Sequence, residues 1–470
     1  MELGTSANTT HNGFISCSFR VMLAFFLFVL CVGCASKEEK ESKHLERARK
    51  YVEKSEFKKA VIEFRNVVQL NPENDAVHYE LGETYLKLQQ GREAYQSFSR
   101  AVSLNPENMK AQLKMGQILL LGKKTEEAKK RAELVLENSP DSIEALAVLS
   151  GVQVYENDLD SAVKTLEKAL SINPSHFETH LSLARLFFLN GDLERAEKKY
   201  LKALSLDPKS RIPYIELSRL YGSKGQWDKA EAELKKMIRS SGSEYQNLSI
   251  LARFYESREE WELAEKTYLQ AADFSTMEDT GPLVNLGAYY ARRKSYDQAI
   301  SQYEAILKKN PEYLAAYMAL GTIYDQQNDN EKAEAYYRKA LEIKSDFAPA
   351  ANNLAWNLAE KGGNIDEALG FAQIAKEQIP DNAAVMDTLG WIYYLKGSYL
   401  NAIAEFQDSL SQNPDNPVIN LHLGLAYYKN KQPHKAKEFL DKALNMNQNV
   451  KGAEEARSIL KEIETSASAG

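Results

Sequence analysis

Small and bulky apolar residues recur along this chain in a long, fixed register. Alanine stands at Ala60, Ala94, Ala128, Ala162, Ala196, Ala230, Ala264, Ala299, Ala333, Ala368, Ala402 and Ala436, a spacing of 34 residues with two steps of 35. With that alanine set at position 20 of a repeat, position 8 is Gly82, Gly116, Gly287, Gly321, Gly390 and Gly424, and Ala or Ser in the other repeats. A column restricted to such small residues predicts a close approach of two helices. Bulk falls elsewhere, at position 11 (Tyr51, Tyr85, Phe187, Tyr221, Tyr255, Tyr290, Tyr324, Tyr393, Tyr427) and position 24 (Phe64, Phe98, Tyr200, Tyr268, Tyr303, Tyr337, Phe406). By the helical period, positions 4, 7, 8 and 11 share one face of a first helix and 20, 24 and 27 one face of a second. Each repeat is therefore predicted to be an antiparallel helix pair, here called helix A and helix B.

Proline occupies position 32 at Pro72, Pro106, Pro140, Pro174, Pro208, Pro311, Pro380 and Pro414. The residue before a proline is excluded from the helical region, so helix B must stop before it. Pro213, Pro282, Pro349 and Pro417 fall in the first turn of a helix A, where no donor is lost. Two stretches break the pattern. Arg239-Ser240-Ser241-Gly242 replaces the proline turn, and Phe274-Ser275-Thr276 prolongs the next repeat, so looser pairing is expected there. An inserted residue in Lys361-Gly362-Gly363-Asn364 lengthens a turn between paired helices at little cost.

His78, Leu81, Gly82, Tyr85, Ala94, Phe98, Ala101 and Pro106 resemble the tetratricopeptide (TPR) repeat almost column for column. The resemblance implies an all-α fold, a right-handed superhelical α-solenoid of about twelve TPR helix pairs with a C-terminal capping helix. The expected organisation is a leader over 1–33, a tether over 34–40, twelve repeats over 41–450, a capping helix over 451–465 and a tail over 466–470. Function in such an array is implied on the concave surface, lined in the family by positions 2, 5, 9, 12 and 13 of helix A. Arg185, Arg219 and Arg253 hold position 9 in consecutive repeats and Arg292 holds position 13 of the next, a candidate docking strip for an acidic peptide or an anionic polymer. Against this, Glu178, Glu216 and Glu256 could neutralise the row. A second candidate surface collects Asn352, Trp356, Asp387, Trp391, Tyr394 and Tyr428, a mixture of aromatic and amide groups suited to an extended peptide or sugar chain. The alternative is that the tryptophans brace neighbouring helices.

Val21 to Val32 is a twelve-residue apolar run after Arg20, which reads as a signal peptide and is short for a membrane span. Cys31-Val32-Gly33-Cys34 resembles the bacterial lipoprotein cleavage box, with Cys31 where Leu is usual, and implies lipidation at Cys34. An uncleaved anchor and an ordinary secreted form are the other readings. Ala35 after the cysteine favours the outer membrane by analogy with the enteric sorting rule. The three cysteines, Cys17, Cys31 and Cys34, lie inside or at the edge of this leader, so the mature chain is expected to keep Cys34 alone and to form no internal disulfide.

A formal charge of −7 with mixed signs argues against general nucleic-acid binding. No Gly-rich phosphate loop, Gly-x-Ser-x-Gly or His-Glu-x-x-His motif occurs, and no cofactor is expected. The nearest approach to a metal motif is His176 and His180, which fall in a turn and at packing position 4. These features together suggest a periplasm-facing lipoprotein scaffold holding other envelope proteins or a polymer. The chain resembles TPR lipoproteins of exopolysaccharide export and PEP-CTERM/exosortase systems, through a lipidated leader followed at once by repeats such as Ala60-Val61-Ile62-Glu63-Phe64-Arg65-Asn66. The alternatives are an assembly factor for outer-membrane or secreted proteins and, from another class, an enzyme with its site built into the solenoid.

Overall fold

In the first full repeat after the N-terminal one, helix A runs Asp75–Lys87 and helix B Gly91–Leu104, placing them at positions 1–13 and 17–30. The same placement, shifted by at most a residue or two, recurs in the other repeats, except that the first helix A begins four residues early at Lys37, and a terminal helix, Ala453–Ser468, follows them. The computed structural model describes residues 36–242 and 244–468, with side chains through residue 465. The leader and the first two residues of the tether, and with them Cys17, Cys31 and Cys34, lie outside the described residues. Among the described residues there are twenty-five helices and no strand, and no helix is long and apolar enough to cross a membrane. The first helix starts at Lys37, so most of the expected tether is helical, capped by Ser36 Oγ accepting from the Glu39 amide at 3.0 Å.

The alanines of position 20 are all fully buried, which is what fixes that column. Position 8 has a more specific partner than the helix backbone. A methyl group at Gly82 would come within 2.7 Å of the Phe98 ring, and one at Gly390 within 2.7 Å of Phe406. The glycine thus makes room for the position-24 ring of its own repeat. Gly116 shows the converse, because its repeat carries Ala132 at position 24 and the nearest atom, Arg131 Cβ, is 3.4 Å away.

Helix B ends two residues before each position-32 proline, and the intervening residue is extended as the proline requires, with Asn71 at φ −136° and Asn105 at φ −138°. Where position 4 of the next helix A carries a side-chain donor, the proline carbonyl receives a hydrogen bond from it. Gln112 Nε2 donates to Pro106 O at 2.7 Å, His180 Nε2 to Pro174 O at 2.9 Å and Tyr214 OH to Pro208 O at 3.1 Å. Between helix A and helix B the chain turns through a left-handed residue at position 15, a Schellman closure. Gly191, Gly225, Gly362 and Gly397 take this role, and so do Ser55, Gln89, Lys123, Asn157, Glu259, Lys294, Asn328 and Lys431. The inserted residue of repeat 10 does lie in this turn, which spans 361–364 between Ala348–Glu360 and Ile365–Gln378.

The chain divides into two compact bodies between Glu233 and Leu234, inside the helix Trp227–Ser241. The N-terminal body is built on a continuous core that includes Phe64, Tyr85, Phe98, Met115 and Val152. The C-terminal body holds cores around Phe406 and Leu423 and around Leu421, Leu440 and Ile459, the last supplied by the terminal helix. The prolonged turn after Ala272 is held by Asp279 N donating to Thr276 Oγ1 at 2.9 Å and Lys309 Nζ donating to Ser275 Oγ at 3.0 Å.

Candidate functional site

Helix A of repeat 5 (Phe177–Leu189) presents Arg185 at position 9, facing position 6 of the next helix A, Arg211–Ser223. Position 6 there is Glu216, whose Oε1 accepts from Arg185 Nε and Nη2, each at 3.2 Å, while its Oε2 accepts from Arg219 Nη1 at 2.9 Å. The carboxylate is largely buried and both guanidiniums are exposed. Arg49 and Glu80 repeat the pairing at the same two positions, at 2.9 and 2.6 Å. Lys114 and Glu83 reverse its sign at 3.2 Å. Position 9 to position 6 of the following repeat is thus a standing contact along the helix A faces.

The remaining two arginines belong to the C-terminal body and centre on another carboxylate. Arg292 Nε and Nη2 donate to Glu256 Oε1 and Oε2 at 2.7 and 2.9 Å, and Tyr268 OH donates to Oε2 at 3.1 Å. Burial pushes the Glu256 carboxyl up, yet the Arg292 hydrogen bonds and charge, the Tyr268 hydroxyl and the Arg253 charge outweigh it and hold it below its ordinary value. Arg253 is exposed and acts on Glu256 through its charge. Glu216 and Glu256 therefore engage arginines of the row, whereas Glu178 is exposed and stands 3.6 Å from His176 Nε2. The histidine pair is structural. His176 caps its helix by accepting from Thr179 N, and buried His180 spends Nε2 on Pro174 O.

The second candidate surface separates into two groups. Asn352, Trp356 and Asp387 line a groove of about 470 Å3 whose walls come from repeats 9 to 12, with Asp325, Asn353 and Thr388 beside them. Asp325 accepts from Tyr337 OH at 2.6 Å and from Asn357 Nδ2 at 2.8 Å. Asp387 Oδ1 accepts from His422 Nδ1 at 2.8 Å. His422, almost wholly buried, stacks on Trp391 at 4.5 Å and lies 6.2 Å from Trp356.

Trp391, Tyr394 and Tyr428 pack instead against the cluster to which the terminal helix contributes Ala453, Ala456 and Ile459. Trp391 stacks on Tyr394 at 5.0 Å and donates from Nε1 to Glu360 Oε1 at 3.1 Å. Glu360 Oε2 is paired with Lys451, just ahead of the terminal helix. Burial, with the nearby Glu455 charge, pushes the Tyr394 hydroxyl up to about 12. A hydrogen bond to Glu462 of the same helix raises Tyr428. The capping segment thus covers part of the aromatic surface.

Two features escaped the reading of the sequence. Asp325, at position 12 of repeat 9, belongs to the groove, and the only signal for it was its column. Leu121, Tyr155 and Leu189 stand at position 13 of three successive repeats with 83, 53 and 64% of their surface exposed. That row was visible as a run of large apolar residues at a helix end, where packing does not call for them.

Models described as "Tetratricopeptide repeat" match residues 89–150, 152–211, 248–275, 285–352 and 393–463, and one described as "TPR repeat" matches 48–89. Together they cover well over half of the chain. The chain belongs to the tetratricopeptide-repeat family. It is 30% identical over 131 residues to the TPR repeat-containing protein PA4667 of Pseudomonas aeruginosa, across 27% of this chain and 22% of that one. It is 24% identical over 159 residues to the type IV pilus assembly protein PilF of the same organism, across 34% of this chain and 63% of PilF. The crystal structure of the APC/C hetero-tetramer Cut9–Hcn1 aligns over 90% of this TPR chain and 96% of that one, with 14% identity and a TM-score of 0.43. The chain spans only part of these sequence relatives, so what they share with it is the repeat.

Proposed function

We propose that this TPR chain is a non-catalytic scaffold of the bacterial cell envelope, tethered through a lipidated Cys34 and facing the periplasm from the outer membrane. It holds polypeptide partners on its helix A faces during envelope assembly or the export of protein or exopolysaccharide. The observation that carries the reading is the groove of about 470 Å3 in the C-terminal body. It is walled by successive repeats and lined by amide, carboxylate and indole groups, which suit a polypeptide's backbone and side chains. The carboxylates Glu216 and Glu256 already engage Arg185, Arg219 and Arg292, which weighs against an anionic polymer along the arginine row. The leader motif ending at Cys34 supports the anchor.

A photo-crosslinking residue in place of Thr388, which lines the groove, is expected to give polypeptide adducts in cells. The same residue in place of exposed Leu400 on a helix B is expected to give far fewer. Saccharide adducts at Thr388, or equal yields at the two sites, would contradict the polypeptide reading. Metabolic labelling with a fatty acid tests the anchor: label on the wild type that disappears in Cys34→Ala is expected, and an unlabelled wild type refutes it.

A further inference from the structure

The groove of repeats 9 to 12 is one-sided in charge. Asp325 and Asp387 are among its lining residues, and no Lys or Arg is. Both oxygens of Asp325 accept from neutral donors, the Tyr337 hydroxyl and the Asn357 amide, which leave its charge in place. Lys361 feels that charge from outside the lining. Asp387 receives one hydrogen bond, from His422 to Oδ1, and none to Oδ2 among the described residues.

A second, independent observation concerns Asn352. Its side-chain oxygen is buried and has no hydrogen-bond donor, and its amide makes only a long contact, 3.4 Å, to Asn353 Oδ1. A buried acceptor without a donor is uncommon in a finished structure. Asn352 lines the groove, so the residue whose acceptor has no donor is part of the groove wall. The third feature is Trp356, an indole in the same wall. An aromatic face within about 6 Å of a cation attracts it.

Unsatisfied acceptors, net negative charge and an indole wall together define the complement. A lysine ammonium offers three donors and no acceptor, and an arginine guanidinium five. A neutral amide or hydroxyl would match the acceptors and leave the charge unmatched. We propose that the groove of repeats 9 to 12 is a receptor for a basic side chain, lysine or arginine, carried by a partner polypeptide. The proposal rests on the scaffold reading and specifies the chemistry of the partner.

The test uses the purified full-length chain and two labelled synthetic peptides of Gly and Ser, one carrying a single arginine and the other citrulline, its neutral isostere. Fluorescence anisotropy is expected to show the arginine peptide binding at least tenfold tighter. Asp387→Asn should bring the two peptides within about twofold, since a fixed carboxylate is what separates them. Asp325→Asn should narrow the difference independently, so a folding defect in one variant, checked by circular dichroism, leaves the other to decide. Glu454→Gln, which removes a fully exposed charge from the terminal helix, should leave the discrimination unchanged. Equal binding of the two peptides by the wild type overturns the proposal, as do absence of binding and discrimination that survives both aspartate changes. Polypeptide adducts at Thr388 alongside equal peptide binding would retain the scaffold and remove the basic-side-chain specificity.

Discussion

Arg185 with Glu216 and Trp391 with His422 are the same contact in two bodies of one chain, position 9 meeting position 6 of the following repeat. In the N-terminal body it is an ion pair with exposed guanidiniums. In the C-terminal body it is a stack at 4.5 Å around an almost wholly buried imidazole. The backbone supplies an equivalent register to both, so the difference comes from the side chains alone. An exposed ion pair contributes little because water and salt compete for both charges. A stacked indole excludes water over a large area. The repeat fixes where two side chains meet, and the residues there decide whether the meeting is a solvated ion pair or a packed aromatic contact.

Truncation should separate the two most sharply. Trp391→Ala loses the stacks on His422 and Tyr394 and the hydrogen bond to Glu360, and is expected to lower the stability of the C-terminal body by about 3 kcal/mol. Arg185→Ala is expected to cost less than about 1 kcal/mol. Denaturant midpoints giving similar losses would break the comparison. Glycine substitutions sharpen it inside the pairs. Gly390→Ala forces a methyl group onto Phe406 and should cost about 1–3 kcal/mol. Gly116→Ala meets its nearest neighbour at 3.4 Å and should be neutral or gain up to about 1 kcal/mol from helix propensity.

Alkaline titration probes burial in both bodies. Tyr200 in the first and Tyr394 in the second are each pushed up to about 12, chiefly by burial and next by a nearby glutamate. Because the folded state favours the neutral phenol, the stability from both is complete below pH about 10 and is lost as pH rises toward about 12. Ultraviolet absorbance should therefore show late-ionising tyrosines. Glu455→Gln should bring Tyr394 down without moving Tyr200, and coincident shifts would argue against the assignment. The smallest effect is expected from Glu216→Gln, below about 1 kcal/mol and shrinking as salt is added. A thermal-melting loss that persists at high salt would contradict the picture of a screened surface pair.

Most of the fold could be read from the spacing of Ala60, Ala94 and their successors, because a fully buried column tolerates only one small residue and its period is the repeat itself. The proline-bounded helix ends were legible for the same local reason. Position 15 was not, since only some of its residues are glycine. Lys123 and Glu259 adopt the left-handed conformation within the same closing hydrogen bonds, Lys124 N donating to Leu119 O and Glu260 N to Tyr255 O, each at 2.9 Å. The candidate surfaces were legible as columns and illegible as contacts. Trp356 and Tyr394 both read as groove aromatics, yet one lines the open groove and the other meets the terminal helix. The terminal helix, expected from the sequence, is what distinguishes them, and which side chains it covers is not encoded in the repeat period.

Amide hydrogen exchange of the full-length chain, with and without a polypeptide captured through the Thr388 crosslink, tests the central claim most directly. The account predicts added protection in the helix A segments 348–360 and 383–395, with little change in 177–189 and 211–223. Protection concentrated on the segments that carry Arg185 and Arg219, with the groove segments unchanged, would contradict it.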